Sequence, residues 1–157
     1  MSSSVTLRAS RAVPVPAAEA YAAVLPMPLP LIFSRRYLAL PPIRAVRDQH
    51  GEWGTVGQTR TIVLADGGTM AETLTSVVPG ESFGYDIAPT SGALKPLVTG
   101  AQGLWSFTPA GNGVEVAWQW VLEPTRAGTL VMPALGRMWQ GYARQALEEV
   151  ERALLAR

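Results

Sequence analysis

Residues 129–157 read TLVMPALGRMWQGYARQALEEVERALLAR and carry the strongest secondary-structure signal of the chain. Apolar side chains recur every three or four residues, and the charged side chains lie between them, which is typical of an amphipathic helix. Thr129 suits the N-cap, and Pro133 is tolerated in the first turn. We therefore predict one helix of about 28 residues and about 40 Å. Its apolar stripe comprises Leu135, Met138, Trp139, Tyr142, Ala146, Val150 and Ala153.

Six strand-like runs precede this helix, and each of them ends at turn-forming residues. The clearest turn is Asp66-Gly67-Gly68, which indicates a β-hairpin. Because the connections are short, we expect the strands to pair antiparallel in chain order. The runs are residues 43–49, 56–65, 69–78, 82–88, 102–108 and 114–122, with residues 89–100 predicted as a loop.

The N-terminal part adds a seventh strand and two short helices. Residues 5–13 alternate between apolar and polar side chains, as in a half-buried strand. An Ala-rich helix over residues 17–25 then ends at Pro26, and a second short helix is predicted over residues 29–35. A run of strands followed by one long helix indicates an α+β fold. We expect a single domain over residues 1–157, in which a curved seven-stranded antiparallel sheet wraps around the C-terminal helix.

The composition excludes several classes of site. The chain has 157 residues, no Cys, one His, 16% charged residues and a net charge of +1. The absence of Cys removes disulfides and thiolate ligands, and one His cannot build a His-rich metal site, so we expect no metal and no cofactor. Scattered Arg residues form no basic stripe for nucleic acid. Pro and Gly interrupt every uncharged stretch, and the polar start Met1-Ser-Ser-Ser predicts no signal peptide, so we expect no membrane span and a cytoplasmic location.

Several segments resemble the START/SRPBCC superfamily, which includes the birch-pollen-allergen proteins, and in particular its polyketide cyclase/dehydrase-like branch. These segments are Val15-Pro-Ala-Ala-Glu-Ala-Tyr21 after the first strand, Val56-Gly-Gln-Thr-Arg60 with Asp66-Gly67 and Glu72, and Trp105-Ser-Phe107-Thr-Pro with Gly113 and Trp118-Gln-Trp120. The resemblance implies the helix-grip fold and a deep apolar cavity between the sheet and the long helix. Members of the superfamily bind lipids, sterols or polyketides, and include cyclases, dehydratases, hydrolases and carriers, so the resemblance implies no single activity.

Arg60 and Glu72 are the candidate polar residues of such a cavity. If Asp66, Gly67 and Gly68 form a three-residue turn, Ile62 lies opposite Glu72, and Arg60 lies diagonally on the same inward face. Such a pair could brace two strands, orient a polar group of a ligand, or leave Glu72 as a general base. The sequence leaves these three roles open.

Aromatic residues form the second candidate group. Phe83 and Phe107 suit a packed core, whereas Trp and Tyr carry polar tips that need partners when buried and therefore suit a cavity wall. Together with the ion pair, the predicted ligand-binding residues are Arg60, Glu72, Tyr85, Trp105, Trp118, Trp120, Met138, Trp139 and Tyr142.

Three functions compete at this point. The leading hypothesis is the binding of a small hydrophobic molecule, such as a lipid, a polyketide or an aromatic compound. The second is a cyclase or dehydratase in which Glu72 acts as the base and Arg60 or Tyr85 polarises a carbonyl group. The third is an accessory or chaperone-partner module without a ligand. The sequence also leaves open whether the chain forms a homodimer.

Overall fold

The computed structural model describes residues 3–157, so the part of the domain and leader predictions that concerns Met1 and Ser2 lies outside the described residues. Seven strands and four helices follow one another in the described chain. The strands are β1 (Val5–Val13), β2 (Ile43–Arg47), β3 (Thr59–Leu64), β4 (Thr69–Val78), β5 (Ser82–Ser91), β6 (Val98–Ala110) and β7 (Gly113–Pro124). The helices are α1 (Ala17–Val24), α2 (Leu29–Ile32), α3 (Arg126–Thr129) and α4 (Met132–Leu155).

All seven strands belong to one antiparallel sheet with the order β1-β7-β6-β5-β4-β3-β2. β1 and β2 therefore form opposite edges, and α1 and α2 make the connection between them. Register shifts interrupt the pairing in β2, β4 and β6, and such bulges bend a strand. Together with α4, which packs on one face, this arrangement confirms the predicted helix-grip architecture.

The core lies between that sheet face and α4. Along β1 the exposed and less exposed residues alternate, as the period of a strand requires. The predicted stripe of α4 is confirmed, since Leu135, Trp139, Ala146 and Val150 are buried. Trp139 stacks on Trp118 of β7 with 4.7 Å between ring centroids, which joins helix and sheet near their middle. No helix among residues 3–157 is both long and apolar enough to cross a membrane.

The predicted register of the β3–β4 hairpin was wrong by two residues. Arg60 lies directly opposite Glu72, and Ile62 lies opposite Met70. The turn has the expected three residues, but it uses Ala65, Asp66 and Gly67, with Leu64 donating its backbone N–H to the Gly68 carbonyl at 2.8 Å. Either Gly67 or Gly68 could have supplied the left-handed third position of the turn, and the chain uses Gly67 at φ +92°. The shift is even, so both side chains keep their inward face.

The C-terminal helix begins later than predicted. Thr129 is not its N-cap; Thr125 caps the short α3 instead, accepting a 2.9 Å hydrogen bond from the Gly128 backbone at Oγ1. A break at Leu130–Val131 precedes α4, which has 24 residues. Pro133 has no N–H to offer the Thr129 carbonyl, so a continuous helix would lose a hydrogen bond here.

The second short helix ends earlier than predicted. α2 ends at Ile32 and not at Arg35, because the backbone of Phe33 leaves the helical region at ψ 56°.

The loop predicted over residues 89–100 is shorter in the structure. β5 continues to Ser91, and β6 begins at Val98. Pro89 is accommodated because the β5–β6 pairing has already ended at Ile87–Ala101, so its missing N–H interrupts no hydrogen bond on that side. These longer strands, together with the bends, enclose the space described next.

Candidate functional site

Three adjoining chambers lie against the inward face of the sheet. Residues 24–33 and Tyr142 cover the innermost one, and α4 with residues 39–41 covers the other two. The inner chamber has a volume of about 60 Å³, the middle one about 50 Å³ and the outer one about 310 Å³. Leu64 and Met70 of the β3–β4 hairpin contribute to the walls of all three, so the chambers adjoin one another. The outer chamber lies between residues 39–41, the hairpin, the connection from β5 to β6, and the first turns of α4. We call the three chambers together the channel.

Tyr85 lines the inner chamber, and its hydroxyl binds two tryptophans. Trp118 Nε1 donates to Tyr85 Oη at 2.8 Å, and Trp120 Nε1 donates to the same oxygen at 2.9 Å. Both lone pairs of the oxygen are then occupied, so the hydroxyl can interact with a ligand only as a hydrogen-bond donor. Burial raises the pKa of Tyr85 far above its ordinary value, with a smaller contribution from the Glu72 charge. Tyr85 therefore stays protonated at neutral pH.

Arg60 and Glu72 form a buried ion pair on the same sheet face as Tyr85, in the wall of the inner chamber. Arg60 Nε donates to Glu72 Oε1 at 2.6 Å, and the two side chains are only 5% and 4% exposed. Burial raises the pKa of Glu72, and the Arg60 charge and hydrogen bond oppose that rise without cancelling it. A carboxyl group with a raised pKa beside a fixed guanidinium can orient a polar ligand group or exchange a proton.

Two residues of the β2–β3 loop hold Arg60 from the other side. Gln49 Oε1 accepts a hydrogen bond from Arg60 Nη1 at 3.1 Å, and the Trp53 ring lies under the guanidinium, 3.8 Å from its carbon to the ring centroid. Gln58 in turn organises the loop, since its Oε1 accepts from the backbone N–H groups of Gly54 and Thr55 at 2.7 and 2.6 Å. The loop thus restricts Arg60 to one orientation.

Residues 37–41 form a strap over the channel, and α4 anchors it at two points. The Tyr37 ring occupies the space that a side chain at Gly141 would need. Tyr142 Oη donates to the Pro41 carbonyl at 2.9 Å. Leu38, between these points, has φ +50° and is 70% exposed. Because Leu40 and Pro41 line the middle and outer chambers, movement of the strap would change access to both.

Residues 4–154 match the family described as polyketide cyclase / dehydrase and lipid transport. The chain belongs to this family. The START/SRPBCC resemblance noted in the sequence is thereby confirmed, and so is the helix-grip fold, which several solved structures share.

Three solved structures have a fold similar to that of this member of the polyketide cyclase/dehydrase family. Ginseng major latex-like protein 151 from Panax ginseng is 14% identical, with 97% of this chain and 98% of that chain covered and a TM-score of 0.69. A protein from Thermus thermophilus is 21% identical, with 97% and 98% covered and a TM-score of 0.66. Ara h 8.0201 is 14% identical, with 99% and 100% covered and a TM-score of 0.66. The comparison with curated proteins found no match. At these identities the likeness shows the fold alone.

The structure places all nine sequence-predicted site residues of this family member on the walls of the channel. Arg60, Glu72, Tyr85, Trp105 and Trp118 line the inner chamber; Trp139 lines the middle chamber; Met138 lines the outer one. Trp120 and Tyr142 line both the inner and the middle chambers.

Sequence reasoning missed the residues that position this set. Residues 43–49 are predicted as a strand, but β2 ends at Arg47, so Gln49 and Trp53 both reach Arg60 from the loop that follows it. Gly103 and Gly141 make room for the rings of Tyr85 and Tyr37, respectively. A glycine inside a strand or helix pattern does signal a close approach by another group, but it does not say which group approaches.

Proposed function

We propose that this chain binds a small hydrophobic molecule, such as a lipid, a polyketide or an aromatic compound, in the channel. The observation that carries the proposal is the chain of three adjoining chambers with walls made almost wholly of apolar side chains. Their volumes together reach the lower part of the range of about 300–1,000 Å³ typical of small-molecule pockets. The narrow inner parts suit an acyl chain or a flat ring system.

The polar groups of the inner chamber support the same function. Tyr85 offers one hydrogen-bond donor, and the Arg60–Glu72 pair offers a fixed charge pattern, while aliphatic residues such as Ile87 and aromatic residues make up the rest of the wall. A few convergent polar groups in an apolar pocket orient a ligand without supplying most of its affinity. The proposed ligand is therefore apolar, with a polar atom at its deeply inserted end.

Fluorescence provides the test, because four of the five tryptophans line the inner or middle chamber. We expect a panel of lipids, sterols and aromatic polyketides to contain members that change tryptophan emission and raise the melting temperature. Ala101→Leu should fill the middle chamber and weaken binding by about tenfold. Ala71→Leu, on the exposed face of β4, is the matched control and should leave binding unchanged. No response to any member of the panel would exclude the proposal.

Glu72 supports a second candidate function, a cyclase- or dehydratase-type enzyme. The specific observation is that a carboxyl group with a raised pKa and the Tyr85 hydroxyl line the same chamber, so a proton acceptor and a carbonyl-polarising donor could meet one substrate. Glu72→Gln should then abolish turnover of an aromatic polyketide precursor while probe affinity stays within about tenfold. If Glu72→Gln instead lowers the folding stability and the wild-type protein shows no turnover, the ion pair serves to brace β3 and β4.

The third hypothesis, an accessory module without a ligand, has less support. It requires a filled interior, whereas the described part of the chain encloses the three chambers.

A further inference from the structure

Trp139 carries a buried hydrogen-bond donor without a partner. The side chain is 2% exposed, and its Nε1 makes no hydrogen bond with any described residue. Trp139 also lines the middle chamber. The other buried side-chain nitrogen or oxygen without a partner in the described chain is Oε1 of Gln145, a residue that lines none of the three chambers. An unpaired buried donor is uncommon and destabilising, so its occurrence in a residue that lines a chamber requires an explanation.

The neighbouring indoles explain why the Nε1 donor of Trp139 has no acceptor. Trp118 stacks on it at 4.7 Å, and Trp120 lies at 6.1 Å, both measured between ring centroids. The N–H groups of those two tryptophans are both bonded to Tyr85, whose oxygen has no lone pair left for a third donor. Three indoles therefore cluster at the junction of the inner and middle chambers, and the third N–H has no acceptor.

We infer that Trp139 Nε1 is a ligand-binding group that donates a hydrogen bond to an acceptor oxygen of the ligand in the middle chamber. The inference rests on the proposed function and narrows the ligand class. The ligand is an apolar molecule with a carbonyl, quinone or ether oxygen within its body, and not a pure hydrocarbon chain with a polar group only at its end. An indole N–H is a donor only, so it favours an acceptor and gives nothing to a donor.

The test uses two probes of nearly the same shape, 9-fluorenone and fluorene, which differ by one carbonyl oxygen. Both are measured on the wild-type protein and on Trp139→Phe by displacement of a fluorescent apolar probe. Each probe is measured on both proteins, so its hydration cancels in the ratio of its two dissociation constants. The quotient of the two ratios, the double ratio, then isolates the pairing of the carbonyl with Trp139. We expect the preference for 9-fluorenone over fluorene to fall about tenfold in Trp139→Phe.

The outcomes separate this inference from the proposed function. If both probes bind and the double ratio is near one, the inference is wrong and the proposed function stands. If neither probe binds, and the wider panel also fails, the proposed function is wrong and the inference falls with it. Should Trp139→Phe not fold, the indole proton of Trp139 in the wild-type NMR spectrum decides: it should shift downfield with 9-fluorenone and not with fluorene, and equal shifts would overturn the inference.

Discussion

The phenol ring of Tyr85 lies across Gly103 on the neighbouring strand, in the space that a side chain at Gly103 would need. Tyr85 pairs with Gly103, and Gly103 pairs with Trp120 on the next strand, so the glycine is the gap through which the phenol reaches β7. Because of this gap, one hydroxyl can accept hydrogen bonds from Trp118 and Trp120. A backbone position without a side chain thus determines the polar geometry of the inner chamber.

Gly103→Ala should therefore displace Tyr85 and separate its hydroxyl from the two indoles. We expect a loss of about 2–4 kcal/mol in the free energy of unfolding, measured with urea, because overpacking and two unpaired donors add together. In a Tyr85→Leu background the same change should cost less than half as much. Equal costs in the two backgrounds would show that the ring is not what Gly103 accommodates.

Tyr85→Phe keeps the ring and removes only the acceptor oxygen. The indole N–H groups of the buried Trp118 and the half-buried Trp120 then lose their partner, so the free energy of unfolding should fall by about 1–3 kcal/mol. Tyr142→Phe is the control, because it removes one hydroxyl bonded to a single backbone carbonyl at Pro41. The control should cost less, about 1 kcal/mol. A larger loss in the free energy of unfolding for Tyr142→Phe than for Tyr85→Phe would contradict the role of Tyr85 as the shared acceptor of two indole N–H groups.

The pH dependence of stability tests the environment of Glu72. Its pKa is raised by burial above the ordinary value of 4.5, so the folded protein holds this proton more tightly than the unfolded chain does. The stability contribution is then fully present below that ordinary value and is lost as pH rises through the folded pKa. The difference in free energy of unfolding between wild type and Glu72→Gln should fall from pH 4 upwards.

In that comparison, Glu72→Gln also breaks the ion pair with Arg60, which adds an offset to the difference in free energy of unfolding. Only the change of this difference with pH reports on the pKa of Glu72. A difference that grows with pH would mean that the ion pair lowers the pKa of Glu72, and the candidate role as a base would lose its support.

Two glycines of α4 form a matched pair for testing the strap. A side chain at Gly141 would collide with the Tyr37 ring, whereas one at Gly136 would only touch Leu7 Cδ2 at 3.4 Å. Gly141→Ala should release the strap and speed the association and dissociation of a bound probe, measured by stopped-flow fluorescence. Gly136→Ala should leave these rates unchanged and stabilise the helix by about 0.5–1 kcal/mol. Equal rates in the two variants would exclude the strap as a cover of the channel.

The sequence predicted the architecture well because periodicity reports which face of an element is buried. The period-2 strands and the stripe of α4 were sufficient to put Arg60, Glu72, Tyr85 and Trp139 on inward faces. Every predicted site residue consequently lies on a chamber wall, although contact with a ligand stays a prediction.

What the sequence could not provide is the pairing of particular atoms. Gly67 and Gly68 are both able to end the hairpin turn, so the local sequence does not decide whether Arg60 lies opposite Glu72 or diagonal to it. The start of α4 depends on Pro133 and on competition between Thr125 and Thr129, which offer the same capping chemistry at different positions. That Trp118 and Trp120 share one acceptor while Trp139 has none follows from three-dimensional packing of distant strands.

The most direct test of the proposed binding channel is the detection of intermolecular nuclear Overhauser effects between bound 9-fluorenone and the protein side chains. The account predicts contacts from the probe to the methyl groups of Met70, Ile87 and Leu135, which line the middle chamber. Contacts confined to exposed residues such as Leu38 or Leu130, or none with any channel residue, would contradict it.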